Sequence, residues 1–132
     1  MPKEEYLLKL AMLEQEINRA EQQHQLIEQQ ILEMQNLYVG LEELDKSKEK
    51  QMWANLGKSI FIKTEILDKN LLVDVGNRTF VKKTIKETLK VAEEQIDRLL
   101  EAKNNILSNM REIQQQTEEV IIEAEQDARE AE

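Results

Sequence analysis

The chain has 132 residues, 40% apolar and 34% charged, with a formal net charge of −9 at pH 7, a balance too polar for a thick globular core and too apolar for simple disorder. One Pro, three Gly and 4% aromatic residues favour a single elongated, helix-rich domain, because Pro and Gly interrupt helices and large aromatics fill cores. The absence of cysteine excludes a disulfide framework and a thiolate metal site and points to a reducing, cytoplasmic compartment.

The first run, residues 1–50, opens on Met1 to Leu10, which carries Glu4 and Glu5 and no separate apolar stretch of signal-peptide type. No apolar run approaches the ~20 residues needed to cross a bilayer, so a soluble chain with no membrane partner is expected. From Tyr6 onward, Leu10, Leu13, Ile17, Ala20, His24, Ile27, Ile31, Met34, Tyr38 and Leu41 follow one another at alternating steps of four and three. A period of 3.5 keeps a narrow apolar stripe turned to one partner helix, which is the coiled-coil condition.

Residues 51–83 change character. Gln51 to Leu56, with Trp53 in it, reads as a strand before a Gly57 turn, and Ser59 to Leu67 alternates with Ile60, Ile62 and Ile66 on one face. Asp68-Lys69-Asn70 supplies turn residues, and Leu71, Val73 and Val75 line the next strand. Gly76-Asn77 supplies residues that tolerate positive φ, and Phe80 and Val81 continue into another strand. Three or four short strands result, marginal alone and apolar on both faces, since Phe61 and Leu72 oppose the isoleucine face. Such a ribbon demands another surface. Trp53, Ile60, Phe61, Ile62, Ile66, Leu71, Leu72, Val73, Val75, Phe80 and Val81 are therefore assigned to oligomer assembly.

Thr84 followed by Glu87 predicts a capping box for the second helical run, residues 84–132, with the hydroxyl on the Glu87 backbone N–H and the carboxylate reaching back. Ile85, Leu89, Ala92, Ile96, Leu99, Lys103, Ile106, Met110, Ile113, Thr117, Val120 and Ala124 repeat the four-three alternation, polar only at Lys103 and Thr117. The two stripes are nearly equal in length. A chain that reverses between them sets residue i against about residue 130 − i, with Leu10 near Val120 and Ile27 near Lys103. The expected architecture is mainly α with a small β insert: an antiparallel coiled-coil hairpin about 50 Å long, from ~36 residues at 1.5 Å each, joined by one or two β-hairpins. Parallel pairing between chains is the alternative, against which the sheet segment supplies a natural U-turn.

Charge is uneven along the chain. Lys58 to Lys90 holds eight Lys or Arg against four Asp or Glu, a net of +4, which leaves −13 for the rest. Acidic helical arms repel phosphate backbones and anionic lipid, so neither nucleic acid nor membrane is an expected partner.

With a long heptad helix on either side of two hairpins, and with "LLVDVG" at Leu71 to Gly76 and "FVKKT" at Phe80 to Thr84 leading into a helix, the chain resembles a prefoldin subunit of the alpha class, archaeal or eukaryotic in type. The resemblance spans nearly the whole chain and is diagnostic over about Gln51 to Leu89. It implies one prefoldin-like domain serving an ATP-independent holdase, a hexamer of two alpha-class and four beta-class subunits whose hairpins join into a double β-barrel. It also implies that the coiled-coil tips hold non-native client proteins and pass them to a group II chaperonin in the cytosol.

The tip residues fit that role. Tyr6, Leu7, Leu8, Leu10, Ala11, Met12 and Leu13 crowd more apolar residues into two turns than one seam can bury, and Val120, Ile121 and Ile122 do the same opposite. Leu7, Leu8, Ile121 and Ile122 are expected to stay exposed, and exposed apolar patches mark interaction sites. Client binding is assigned to Tyr6, Leu7, Leu8, Leu10, Ala11, Met12, Val120, Ile121 and Ile122; a thicker seam or burial against a neighbouring subunit is the alternative. Glu118 to Glu132 adds seven negative charges and one positive, a fringe suited to a basic chaperonin surface or to a solubilising helix end.

No catalytic, cofactor or metal site is assigned, and no enzyme is expected. His24 with Glu28 does not complete a zinc or iron site, so His24 is read as a polar residue setting register. Lys103 is read as snorkelling from the seam and Thr117 as loosening it. Glu42-Glu43 and Glu93-Glu94 are solvated faces, and Gly57-Lys58-Ser59 lacks the glycine-spaced turn of a P-loop. The alternative function is a structural spacer or a filament-forming prefoldin-like protein without client handover.

Overall fold

Strong helix formers dominate both long runs and the one Pro stands at position 2, so each run continues as a single helix. In the computed structural model, which describes residues 3–131, α1 spans Lys3–Lys46 and α2 spans Ile85–Glu130. Between them lie β1 (Gln51–Gly57), β2 (Ile60–Glu65), β3 (Leu71–Asp74) and β4 (Phe80–Lys83). The chain forms two compact units: one holds α1 up to Leu32 with α2 from Asp97, the other holds Glu33–Ile96.

In the first unit the two helices run antiparallel. The Tyr6 hydroxyl donates to Asp127 Oδ2, Lys103 Nζ lies 3.3 Å from Glu28 Oε1, and Leu13 lines one hollow together with Thr117. The Leu13–Thr117 and Glu28–Lys103 pairs follow the register in which residue i faces about residue 130 − i, and the Tyr6–Asp127 pair lies three residues beyond it. Tyr6, Ala20, Ile31 and Ile113 are buried, and the other seam residues of this unit are half-buried, as expected of a seam only two helices thick. Two of the polar seam positions, Thr117 and Lys103, find partners within the unit. Thr117 Oγ1 donates to the Ile113 carbonyl at 2.8 Å, and Lys103 is held by Glu28 rather than extended free into water. His24 Nε2 lies 3.4 Å from the same Glu28 oxygen, within ion-pair reach but not aligned for a hydrogen bond.

The second unit carries two separate two-stranded antiparallel sheets, β1 with β2 and β3 with β4. Trp53 faces Lys63 and Ala54 faces Ile62 in the first; Leu72 faces Lys82 and Val73 faces Val81 in the second. Ile66 and Val75, read as strand residues, fall just past their strands, yet the Ile66 N–H bonds the Lys50 carbonyl and the Val75 N–H bonds the Thr79 carbonyl. Both hairpins close with the same device. Asn55 Oδ1 accepts from the Gly57 N–H at 2.7 Å and Asp74 Oδ1 from the Gly76 N–H at 2.9 Å, and the two glycines sit at φ 121° and 125°. Lys58, Ser59, Asn77 and Arg78 then take φ between 50° and 62°, the left-handed pair that suits the twist of a tight hairpin. The Lys58-Ser59 half of this device carries no sequence signal, since neither residue favours positive φ.

Side chains tie the loops down. Lys69 Nζ donates to the Ser47 carbonyl at 2.6 Å, and Lys82 Nζ lies 3.5 Å from Asp68 Oδ2. At the start of α2 the Glu87 N–H donates to Thr84 Oγ1 at 3.1 Å, and the Thr84 hydroxyl donates to Glu87 Oε1 at 3.0 Å, so the carboxylate reaches back to the cap's hydroxyl. Leu41, Ile85 and Ala92 are the buried apolar residues of this unit.

Candidate functional site

Two surfaces carry exposed apolar side chains in quantity. The first is the end of the first unit where α1 begins and α2 finishes. The Tyr6–Asp127 hydrogen bond closes the seam there, and Tyr6, assigned to the client-binding surface, is only 5% exposed because its ring belongs to that closure. Leu10 and Val120 are half-buried beside it, while Leu7, Leu8, Ala11, Met12, Ile121 and Ile122 are exposed. Leu7 and Ile121 flank an open groove of about 540 Å³ with Leu10 in its wall.

The groove exists because α2 changes residue size. Continuing the four-three alternation past Ala124 puts Asp127 and Ala131 on the seam, and Ala128 joins them in the lining. Short side chains face Tyr6 and Leu10 where a Leu or Ile would have filled the space. Sequence reading stopped the stripe at Ala124 and missed Ala128, Ala131 and the Tyr6–Asp127 pair; extending the same alternation by one heptad finds the seam members.

The closure has a pH signature. Its hydrogen bond to Asp127, assisted by burial and by the Asp127, Glu123 and Glu5 carboxylates, pushes the Tyr6 hydroxyl up to about 12. The same bond holds the Asp127 carboxyl below its ordinary value. A lowered carboxyl contributes stability above its ordinary range and loses it as pH falls through the folded value. A raised phenol contributes fully below 10.0 and loses it as pH climbs towards about 12. In a carboxyl-carbon NMR titration, Tyr6→Phe is expected to move the Asp127 midpoint up towards 3.8, and an unchanged midpoint would contradict the pairing.

The second surface is the pair of sheets. Trp53 is 62% exposed and Leu72 71%, and Ile60, Phe61, Ile62, Val75, Phe80 and Val81 are exposed as well. Ile66, Leu71 and Val73 are half-buried. Lys63 Nζ lies 6.0 Å from the centroid of the Trp53 ring it faces across the strands, leaving the rest of the ring open. Met52, Leu56 and Leu67 are exposed too and were not singled out from sequence. On α1, Leu26, Leu32, Leu37 and Val39 lie off the seam and exposed, visible in sequence as the apolar residues left over once the heptad positions are removed.

Among the described residues no group of three or more His, Cys, Asp or Glu side chains is placed to hold a metal ion, and no helix is long and apolar enough to cross a membrane.

Residues 13–130 match the family model described as "Prefoldin subunit". No curated protein matches the chain. Among solved structures, the fold is similar to that of a chain in the cryo-EM structure of filamentous PFD from Methanocaldococcus jannaschii, with a TM-score of 0.64 and 20% identity over 91% of this chain and 95% of that one.

Proposed function

The chain belongs to the prefoldin family, and on that premise we propose that it is an alpha-class subunit of an ATP-independent holdase. Members of the family generally act as chaperones and assemble with other prefoldin subunits. In this reading Trp53, Phe61, Leu72 and Phe80 join the sheets to beta-class partners, two alpha with four beta, in a cytoplasmic hexamer. The exposed ends of the helices hold non-native protein and pass it to a group II chaperonin.

One observation supports capture above all: Leu7, Leu8, Met12, Ile121 and Ile122 are exposed on the first turns of α1 and the last turns of α2, with Leu7 and Ile121 lining a groove, and each could bury area worth ~1.5 to 3 kcal/mol against a client before ordering costs. Several tips on one client turn weak contacts into firm retention. The pair of hairpins supports the alpha class. The test is light scattering of a chemically denatured protein diluted into the assembled chain without ATP: suppressed aggregation is expected, and undiminished aggregation overturns the reading. Likeness to a filamentous PFD favours a second reading, a spacer that polymerises through its sheets. Filaments of the isolated chain in negative-stain images, without suppression, would select it.

A further inference from the structure

The groove at the start of α1 is lined by both apolar and charged side chains. Leu7, Leu10 and Ile121 line it together with Lys3, Glu125 and Asp127. Residues 118–131 carry Glu118, Glu119, Glu123, Glu125, Asp127 and Glu130 against Arg129 alone, whereas residues 3–13 balance Lys3 and Lys9 against Glu4 and Glu5, for a net of −5. Asp127 is engaged by Tyr6, so the acid left to meet a ligand falls to Glu123, Glu125 and their neighbours. Glu125 lines the groove itself, and Glu123 stands two residues before it on α2.

We propose that this groove selects cationic apolar segments of unfolded polypeptide, aliphatic side chains entering between Leu7 and Ile121 while flanking Lys or Arg residues meet the surrounding carboxylates. The inference rests on the client-capture reading above and names the class of segment captured. Lys3 to Leu10 covers roughly 10 Å of helix, room for about three extended residues, so each site reads a short motif. A second copy is disfavoured as occupant through its own helix ends, because two such ends carry the same sign of charge. An anionic lipid surface is repelled for the same reason.

Three labelled, unstructured peptides of equal length and equal Leu and Ile content, with Lys, Gln or Glu at their polar positions, test this by fluorescence anisotropy against the assembled chain. The Lys peptide is expected to bind at least about tenfold tighter than the Glu peptide at low salt, with the gap collapsing at ~0.5 M salt. Glu123→Gln with Glu125→Gln should weaken the Lys peptide several-fold and leave the Gln peptide unchanged. Equal binding of Lys and Glu peptides, or indifference of the Lys peptide to that double variant, overturns the inference. Gln-peptide binding that disappears in Leu7→Ser with Ile121→Ser shows that the capture reading stands even when the charge series is flat. If no peptide binds, both fall. Self-association abolished by Leu7→Ser with Ile121→Ser would assign the groove to a second copy and overturn the inference.

Discussion

Replacing Leu7, Leu8, Ile121 and Ile122 together by Ser is expected to abolish the suppression of client aggregation while leaving assembly and melting nearly unchanged. All four side chains are exposed, so the folded chain loses little when they go; surface changes of this kind usually shift stability by about 0.5 kcal/mol or less. A bound client loses much more. At ~1 kcal/mol for each aliphatic contact, the four changes remove ~4 kcal/mol from one site, roughly a thousandfold in affinity, and the loss is multiplied where several tips share a client. Suppression that survives the four changes would move the capture surface elsewhere, with the exposed Leu26, Leu32 and Val39 of α1 the next to test.

The second large effect concerns the sheets. Trp53→Glu with Leu72→Glu is expected to collapse the oligomer to monomers in native mass spectrometry. Position 53 faces Lys63 and position 72 faces Lys82 across their hairpins, so each new carboxylate gains an opposite charge within its own sheet and the hairpins survive. Burying those carboxylates in an interface would instead cost several kcal/mol each, more than a subunit contact tolerates. An unchanged oligomer would show that assembly does not use these faces.

Much of this was legible in the sequence because helix pairing leaves a periodic record. Every seam residue from Tyr6 to Leu41 and from Ile85 to Ala124 is buried or half-buried, and the salt bridge from Lys103 reaches Glu28, the neighbour of the Ile27 that the 130 − i register sets opposite it. The strands were legible through Ile60, Ile62, Leu71 and Val73, whose alternation needs a pleated backbone. What stayed hidden depends on partners distant in sequence or on backbone angles without a side-chain signature. Asp127 looks like one more solvated acid until Tyr6 lies opposite it. Lys58 and Ser59 give no hint of left-handed conformations, which the Asn55–Gly57 hydrogen bond and the tight closure impose. The groove was obscured for a related reason: Leu7 and Ile121 stand out as surplus apolar residues, but the space between them comes from alanines, which signal nothing on their own.

The most direct measurement places a photo-activatable phenylalanine analogue at Leu8, at Ile122 and, as a control, at Glu94, and irradiates each assembled protein with a denatured radiolabelled client. Cross-links from positions 8 and 122 but not from 94 are predicted. Equal yields at all three positions, or yield only at 94, would contradict capture by the exposed helix ends.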